Sequence, residues 1–214
     1  MLSPNFNIEK DFAHNVIGID EVGRGPLAGP VVSCAFIFFD ISMNNEELIF
    51  INDSKKLSLK KRIEAIKKIS KLKSLNKIKY KLGMASVEEI DKFNILQATK
   101  LSMQRAVKKL KLPPTQLIID GAIDLQLKNY PSQSVIKGDQ KSYSIAAASI
   151  VAKIHRDRYM NFLSYKHPSY GWSSNAGYGT KKHIEEIYRK GITSHHRKSF
   201  EPVKSLIHSN HSTC

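Results

Sequence analysis

The stretch of sequence that decides the fold is residues 16–30, VIGIDEVGRGPLAGP. Its first four positions are uncharged and dominated by Val and Ile, which favour buried β-strands. Two adjacent carboxylates, Asp20 and Glu21, follow this apolar run, and the segment after them contains three glycines and two prolines. Because Gly and Pro interrupt regular structure, the stretch predicts a buried strand that ends in two acids and passes into a loop or tight turn.

Further strands and helices are predicted by similar patterns. β-Branched and aromatic runs predict strands, and a Ser or Thr cap before an apolar face of helical spacing predicts a helix. Strands are expected at residues 16–20, 31–39, 78–84, 117–120 and 134–137. Helices are expected at residues 58–73, 86–112, 142–165 and 180–190. Strands that come first and then alternate with helices predict an α/β fold, with a central mixed β-sheet flanked by helices.

Length and composition suit a single domain. The chain has 214 residues without an obvious break, and 41% of them are hydrophobic, which is enough to form a normal core. We expect an N-terminal extension at residues 1–15 and a main domain at residues 16–205. Residues 206–214 are expected to form a frayed tail because the sequence there is polar and terminal.

Cysteine usage and hydropathy favour a soluble, cytoplasmic protein. Cys34 lies in an apolar run and is expected to be buried, and Cys214 is the last residue, so no disulfide framework is expected. The N-terminus carries Glu9 and Asp11 and lacks the apolar core of a secretory signal. The longest apolar stretch, residues 31–39, is too short to span a bilayer, so we expect no membrane association.

The charge of the chain is strongly basic. There are 34 Lys and Arg residues against 19 Asp and Glu residues, which gives a formal net charge of +15. Such an excess favours a polyanionic partner, and nucleic acid is the first candidate. Charge alone leaves a second interpretation open, in which the basic surface serves solubility or follows the base composition of the genome.

Acidic residues stand at or just beyond the predicted strand ends. Asp20 and Glu21 end the first strand, Asp120 ends the fourth, and Asp139 follows the fifth. Taken singly, each acid can instead cap a helix or pair with a Lys or Arg. Because ligands bind at strand ends in open α/β sheets, the acids are expected to converge in one cleft.

Such a carboxylate cluster predicts a metal site. Ligation by oxygen alone suits Mg²⁺ or Mn²⁺, and two such ions about 3.5–4 Å apart can activate a water and stabilise the leaving oxygen of a phosphodiester. Surrounding Lys and Arg residues can hold the backbone of a nucleic acid. Zinc is not expected, because no His/Cys cluster has zinc spacing. The histidines of the polar C-terminal region are His195, His196, His208 and His211.

Seven motifs, in chain order, are similar to those of the ribonuclease HII family. The first, at residues 18–30, is long and highly specific. The others are DSKKLS at 53–58, IDG at 119–121, KGD at 137–139, SIAAASIVAK at 144–153, GYGT at 177–180 and HRKSF at 196–200. The resemblance implies a ribonuclease H-like fold with a small C-terminal helical segment. It also implies that residues 16–205 are the catalytic domain of a type 2 ribonuclease H.

The resemblance also implies an activity. It assigns Asp20, Glu21, Asp120 and Asp139 as catalytic residues and as ligands of Mn²⁺ or Mg²⁺, with two ions when substrate is bound. Family members hydrolyse the phosphodiester on the 5′ side of ribonucleotides, both in RNA–DNA hybrids and at single ribonucleotides embedded in duplex DNA. The products carry 3′-hydroxyl and 5′-phosphate ends, and the cut initiates removal of ribonucleotides from DNA. We expect the chain to bind these duplexes as a monomer.

The loop after the first strand is predicted to distinguish RNA from DNA. Gly23 and Gly25 lack a Cβ, so their backbone can approach a sugar and bond its 2′-hydroxyl, while Arg24 can hold a phosphate. By resemblance, Tyr178 stacks on a sugar at the RNA–DNA junction. Each residue also has a plain structural alternative, as part of a tight turn, as a buried aromatic or as a solvated charge. Further contacts with the substrate backbone are expected from Lys55, Lys56, Lys181 and His183.

Three alternatives fit the sequence less well. Ribonuclease HIII carries an extra N-terminal binding domain, for which the roughly 15 residues before the first strand are too few. A junction resolvase lacks the Gly-Arg-Gly segment after the acid pair. A basic nucleic-acid-binding protein without catalysis has no need for Asp20 and Glu21 on a buried strand end, nor for Asp120 and Asp139.

Overall fold

A computed structural model describes residues 3–43, 45–51 and 58–209 of the chain. Its strands are β1 (Ile17–Val22), β2 (Val31–Phe38), β3 (Ile78–Ala85), β4 (Leu117–Asp120) and β5 (Ser132–Val135). Its helices are α1 (Asn7–Lys10), α2 (Asn45–Leu48), α3 (Leu59–Ser74), α4 (Val87–Leu110), α5 (Tyr143–Lys166), α6 (Trp172–Asn175), α7 (Lys181–Lys190) and α8 (Val203–Ser209).

The five strands form one mixed sheet in the order β3-β2-β1-β4-β5. β1 pairs antiparallel with β2 and parallel with β4, while β2 pairs antiparallel with β3 and β4 parallel with β5. The parallel register sets Ile19 beside Ile119, so the next residues, Asp20 and Asp120, are neighbours at one end of the sheet. The predicted α/β fold with a central mixed sheet is confirmed.

Helices cover both faces of the sheet. α5 packs on β1 and β2 on one face, and α4 packs on β2 and β3 on the other. The approach of α5 is close because Ala146, Ala147 and Ala148 are all fully buried and because Gly18 leaves no room for a Cβ against Ser144. This close packing fixes the strand that carries the acid pair.

The helix starts agree with the prediction because their capping residues are explicit in the sequence. The side chains of Ser58, Ser86, Ser142 and Thr180 each accept a hydrogen bond from the backbone N–H three residues on. Ser86 and Glu89 form the reciprocal capping box that their spacing predicts. These caps satisfy N–H groups that would otherwise lack partners at the helix starts.

The differences from the prediction include the edge strand and the segment before α7. β5 covers Ser132–Val135, whereas the prediction placed it at residues 134–137. The prediction failed here because the polar residues of this edge strand show no apolar pattern. The strand ends where it does because Lys137 adopts the left-handed region, with a φ of 55°. The segment at residues 166–179, predicted to be a loop, contains a 3₁₀ turn at Pro168–Tyr170 as well as the short helix α6.

The N-terminal residues pack onto the start of α5. The ring of the buried residue Phe6 contacts Tyr143 edge-on. The buried carboxylate of Glu9 accepts hydrogen bonds from the Ser142 hydroxyl at 2.7 Å and from the Ser144 N–H at 2.9 Å. These contacts tie the first turn of α5 to the chain that precedes β1.

At the other end, α8 continues to Ser209, into the stretch predicted to be a frayed tail. The boundaries of the extension at residues 1–15 and of the tail at residues 206–214 stay predictions, and residues 210–214 lie outside the described chain. Within the described ranges, no helix combines the length and apolar character needed to cross a bilayer.

Replacement of Glu9 by Ala should lower the free energy of unfolding by about 1–3 kcal/mol, because the Ser144 N–H and the Ser142 hydroxyl lose a buried acceptor. Urea unfolding measures this difference. The exposed residue Asp11 provides the matched control, since Asp11→Ala removes the same charge from the same segment. Equal losses in both variants would show that the buried carboxylate does not anchor the segment.

Candidate active site

Three of the four predicted metal ligands come from two neighbouring strands. Asp20 and Glu21 lie in the second half of β1, and Asp120 is the last residue of β4 beside it. The Asp20 side chain is buried and accepts a hydrogen bond from the Glu21 N–H at 2.7 Å. The Ser149 side chain, on α5, also hydrogen-bonds Asp20. The sheet and the helix packed on it therefore both position this carboxylate.

Asp139, the fourth predicted ligand, reaches the same edge through the turn after β5. The Gly138 N–H donates to Oδ1 of Asp120 at 2.7 Å. Asp139 is the next residue and is buried in the 3₁₀ turn Gly138–Gln140. Asp139 therefore directly follows Gly138, which hydrogen-bonds Asp120, and the turn brings Asp139 to the same edge of the sheet.

The electrostatics of this acidic edge favour a cation. Burial, the charge of Glu21 and the charge of Asp120 hold the pKa of Asp20 well above its usual value, against the hydrogen bond from Ser149. Burial also raises the pKa of Glu21, and the Arg24 guanidinium, 3.6 Å away, opposes that shift. A divalent cation offsets such repulsion, and a donor set made only of carboxylate oxygens fits a hard ion such as Mg²⁺ or Mn²⁺.

The acids form an open edge and not a closed cage. Over the ranges that the structure describes, no three His, Cys, Asp or Glu side chains already converge as the ligands of one ion. Register and hydrogen bonding make the acids neighbours, and a bound cation would offset their mutual repulsion.

The loop at residues 23–30, which follows the acid pair, is held from behind by two arginines. The sequence predicted no role for either of them, although Arg197 lies in the HRKSF motif at residues 196–200. Arg156 of α5 and Arg197 are both fully buried, and their guanidinium groups donate to backbone carbonyls of this loop. Burial lowers the pKa of Arg156 to about 10 and that of Arg197 to about 9, so both side chains are cationic at neutral pH. The loop backbone is therefore held in a defined conformation by hydrogen bonds from two buried side chains.

The residues predicted to read the ribose lie together. A Cβ on Gly25 would come 3.5 Å from Cε1 of Tyr178, an ordinary contact, and Tyr178 is 46% exposed. Gly23 has a φ of 93°, and a Cβ there would overlap the Arg156 side chain. The fold itself therefore requires a glycine at position 23, whereas position 25 faces open space and Tyr178.

The predicted contacts with the substrate backbone have different outcomes. Lys181 is exposed at the start of α7, as such a contact requires. The prediction of a direct contact is wrong for His183, because this side chain is fully buried and both of its ring nitrogens are engaged within the protein. The His183 ring bonds the backbone carbonyl of Tyr178 and so helps to fix the position of Tyr178. Lys55 and Lys56 lie outside the described residues.

His183 and His196 form a buried hydrogen-bonded pair. Nδ1 of His183 lies 2.8 Å from the Tyr178 carbonyl and must carry the proton, so its Nε2 accepts from Trp172 at 3.0 Å. The Thr193 N–H donates to Nδ1 of His196 at 2.9 Å, so His196 carries its proton on Nε2, 3.1 Å from His183. Each imidazole is therefore neutral, and its tautomer is fixed by its neighbours.

Replacement of His196 by Asn should flatten the dependence of stability on pH. Burial and the neighbouring His183 lower the pKa of His196 to about 3, against about 6.5 for an exposed His. Between these values the unfolded chain binds a proton that the folded protein does not. The free energy of unfolding therefore falls with falling pH, by up to about 1.4 kcal/mol per pH unit for this group.

Urea unfolding of wild type and His196→Asn between about pH 5 and pH 7 measures the two slopes within this window. His14→Asn, at an exposed position, is the control and should keep the wild-type slope. If the slope of His196→Asn matches that of wild type, His196 is not held neutral by the fold.

Comparison with known proteins defines first the class and then the family. The structure superposes on ribonuclease H2 from Pyrococcus horikoshii OT3 with a TM-score of 0.74 and 25% identity, over 94% of this chain and 100% of that chain, so the protein is an α/β enzyme of the ribonuclease H type. The sequence model of the family described as Ribonuclease HII matches residues 17–203. Ribonuclease HII from Wolbachia pipientis subsp. Culex pipiens is 49% identical over 206 residues, which are 96% of this chain and 100% of the relative. The chain therefore belongs to the ribonuclease HII family and is a ribonuclease H hydrolase.

A more distant structure shares the same fold. Bst-RNase HIII, solved in complex with Mn²⁺, superposes with a TM-score of 0.70 over 98% of this chain and 71% of that chain, at 18% identity. At this identity the similarity concerns the fold alone. The family assignment gives no support to the alternative of a nucleic-acid-binding protein without catalysis.

Proposed function

We propose that this hydrolase is a metal-dependent endoribonuclease that cuts on the 5′ side of ribonucleotides, in RNA–DNA hybrids and at single ribonucleotides in duplex DNA. It leaves 3′-hydroxyl and 5′-phosphate ends and so initiates ribonucleotide removal. The observation that carries the proposal is the continuity of β1 with the loop after it. Only Val22 separates the acid pair Asp20–Glu21 from Gly23. A sugar contacted by this loop therefore lies next to the acids that act on its phosphodiester.

The acidic edge is the proposed metal site. Asp20, Glu21, Asp120 and Asp139 would hold Mg²⁺ or Mn²⁺, with two ions when substrate is bound. When bound, such ions supply Lewis-acid stabilisation of the phosphodiester and lower the pKa of the attacking water. The chain supplies oxygen ligands, and their burial strengthens the attraction for a cation. The raised pKa of Asp20, caused by burial and by two acidic neighbours, supports this assignment.

The loop and its surroundings are the proposed substrate site. The backbone at Gly23 and Gly25 approaches the ribose and bonds its 2′-hydroxyl, which is the group that separates RNA from DNA. Arg24, exposed beside Glu21, holds a phosphate, and Tyr178 packs on the sugar at the junction. We assign Lys181 to the substrate backbone farther along the duplex, and the same role stays a prediction for Lys55 and Lys56.

The charge of the chain supports the same substrates. A net charge of +15 attracts a duplex whose backbone carries a negative charge at every phosphate, and it favours association before any specific contact forms. The acidic edge is then a negatively charged region on an otherwise cationic protein. This contrast in charge directs cation binding to the place where the phosphodiester must react. We further propose that the protein acts as a monomer in the cytoplasm.

Asp20→Asn should lower the single-turnover cleavage rate by about two orders of magnitude or more, because it removes a charged oxygen ligand. The substrate is a DNA duplex with one ribonucleotide, tested in Mg²⁺, in Mn²⁺ and in EDTA. The free energy of unfolding should not fall, since a buried charge next to Glu21 and Asp120 is removed. Asp124→Asn, at an exposed position, is the control. Undiminished cutting by Asp20→Asn, or by wild type in EDTA, would contradict the metal assignment.

Gly25→Ala tests the close approach of the backbone to the ribose. The added Cβ meets Tyr178 at an ordinary distance of 3.5 Å, so the free energy of unfolding should change by less than about 1 kcal/mol. The rate on a duplex with one ribonucleotide should fall about tenfold or more, because the methyl group holds the sugar away from the backbone. Gly23→Ala is unsuitable here, since it also strikes Arg156. A wild-type rate for Gly25→Ala would remove the argument from backbone contact.

A further inference from the structure

Two buried guanidinium groups divide the loop carbonyls between them. Arg156 donates to the carbonyl oxygens of Pro30 at 2.9 Å, Ala176 at 2.9 Å and Ala28 at 3.1 Å. Arg197 donates to those of Gly29 at 2.8 and 3.0 Å, Arg24 at 2.8 Å and Gly23 at 2.5 Å. Arg156 thus holds the far end of the loop, and Arg197 reaches the end that follows the acid pair.

The charge of Arg197 is compensated by peptide dipoles and, at longer range, by the charge of Asp91. The side chain is fully buried, and in the described part of the chain it forms no salt bridge. Burial of a cation is unfavourable unless its donors are all well bonded. The planar fork of a guanidinium matches several carbonyls at once, whereas a lysine presents a point charge. The arrangement therefore depends on an arginine at this position.

The opposite side of the same segment is open. The N–H groups of Gly23, Arg24 and Gly25 donate to no other residue of the described chain, whereas those at residues 27–29 are all bonded within the protein. In a trans peptide the carbonyl and the following N–H point in opposite directions. Because the carbonyls of Gly23 and Arg24 point inward at Arg197, the N–H groups of Arg24 and Gly25 must point away from it.

We infer that Arg197 is a positioning residue for ribose recognition, because it holds two carbonyls inward and so directs the N–H groups of Arg24 and Gly25 toward the sugar. The position of Tyr178 against Gly25 marks that side of the loop as the substrate side. Arg197 touches neither the substrate nor the acids in this arrangement and acts only through the loop backbone. The inference rests on the proposed function, in which this loop reads the 2′-hydroxyl.

The test compares Arg197→Lys with Arg156→Lys. Both variants replace a fully buried guanidinium that bonds the same loop. The aliphatic part of Arg156 packs against Gly23 and a lysine retains it, whereas its hydrogen bonds go to residues 28, 30 and 176 and none goes to the carbonyl of Gly23 or Arg24. Affinity is measured for two duplexes of one sequence, one with a single ribonucleotide and one all DNA. Ca²⁺ replaces Mg²⁺, since its longer bonds and higher coordination number suit binding rather than turnover. The readout is the affinity ratio of the two duplexes, with the free energy of unfolding measured alongside.

Arg197→Lys should lower the preference for the ribonucleotide duplex about tenfold or more and leave affinity for the all-DNA duplex within about twofold of wild type. Arg156→Lys should keep the wild-type preference for the ribonucleotide duplex, even if its free energy of unfolding falls as much as that of Arg197→Lys. An unchanged preference in Arg197→Lys, or an equal loss in both variants, would reduce Arg197 to a structural role and overturn the inference. If wild type itself shows no preference for the ribonucleotide duplex, the proposed function fails, and the inference fails with it.

A second measurement needs no variant. Amide hydrogen exchange in the free wild-type protein should be fast at residues 24 and 25 and slow at residues 27–29, which are bonded within the protein. Addition of the ribonucleotide duplex should slow exchange at residues 24 and 25 more than addition of the all-DNA duplex. Slow exchange at these positions in the free protein, or equal protection by the two duplexes, would contradict the outward amides.

Discussion

The parallel pairing of β1 with β4 sets Asp20 beside Asp120, and the site is built around this forced proximity of two carboxylates. Ile17 and Ile19 of β1 pack in one buried cluster with Leu117 and Ile119 of β4, so the acids cannot separate without loss of core packing. Their repulsion is moderated by polar donors, namely the Glu21 N–H, the Ser149 side chain and the Gly138 N–H. The fold thus maintains an unfavourable charge arrangement that a bound cation would relieve.

Much of the fold is predictable from the sequence because its signals are local. The uncharged run before Asp20 marks β1, and the caps Ser86, Ser142 and Thr180 mark helix starts to within a residue. The edge strand β5 is predicted two residues too late, since a polar strand at an edge has no apolar pattern to locate it. Asp20 and Asp120 are conspicuous in the sequence because each is a charged residue directly after an apolar run, whereas Asp139 follows Lys137 and Gly138. Whether the acids converge depends on the order of the strands in the sheet. The tendency of ligands to bind at strand ends predicts convergence but does not give that order.

The residues that support the loop are harder to find because they act across long sequence separations. Arg156 carries a weak signal, since it lies four residues after Ala152 and seven after Ser149, on the buried face of a helix where a charge is unusual. Arg197 lies in the HRKSF motif, which indicates the family but no role, because the segment is irregular and lies more than 160 residues from the loop that it bonds. His183 shows the opposite case. Its polar neighbours in the sequence suggest an exposed helix start, yet tertiary packing buries it.

In the proposed function, the irregular segment after α7 is therefore part of the recognition site, although it contributes none of the four acids. Arg197 orients the loop after β1, and the neighbouring His196 bonds His183, which in turn bonds the Tyr178 carbonyl. One short segment thus fixes the loop after β1 and Tyr178, the two elements proposed to face the substrate, which come from different parts of the chain. Because both connections run through buried, fully bonded side chains, movement of either element requires loss of hydrogen bonds in a water-poor interior. This coupling gives a physical reason for the loop after β1 and the Tyr178 side chain to keep a fixed separation, which the proposed recognition of a single sugar requires.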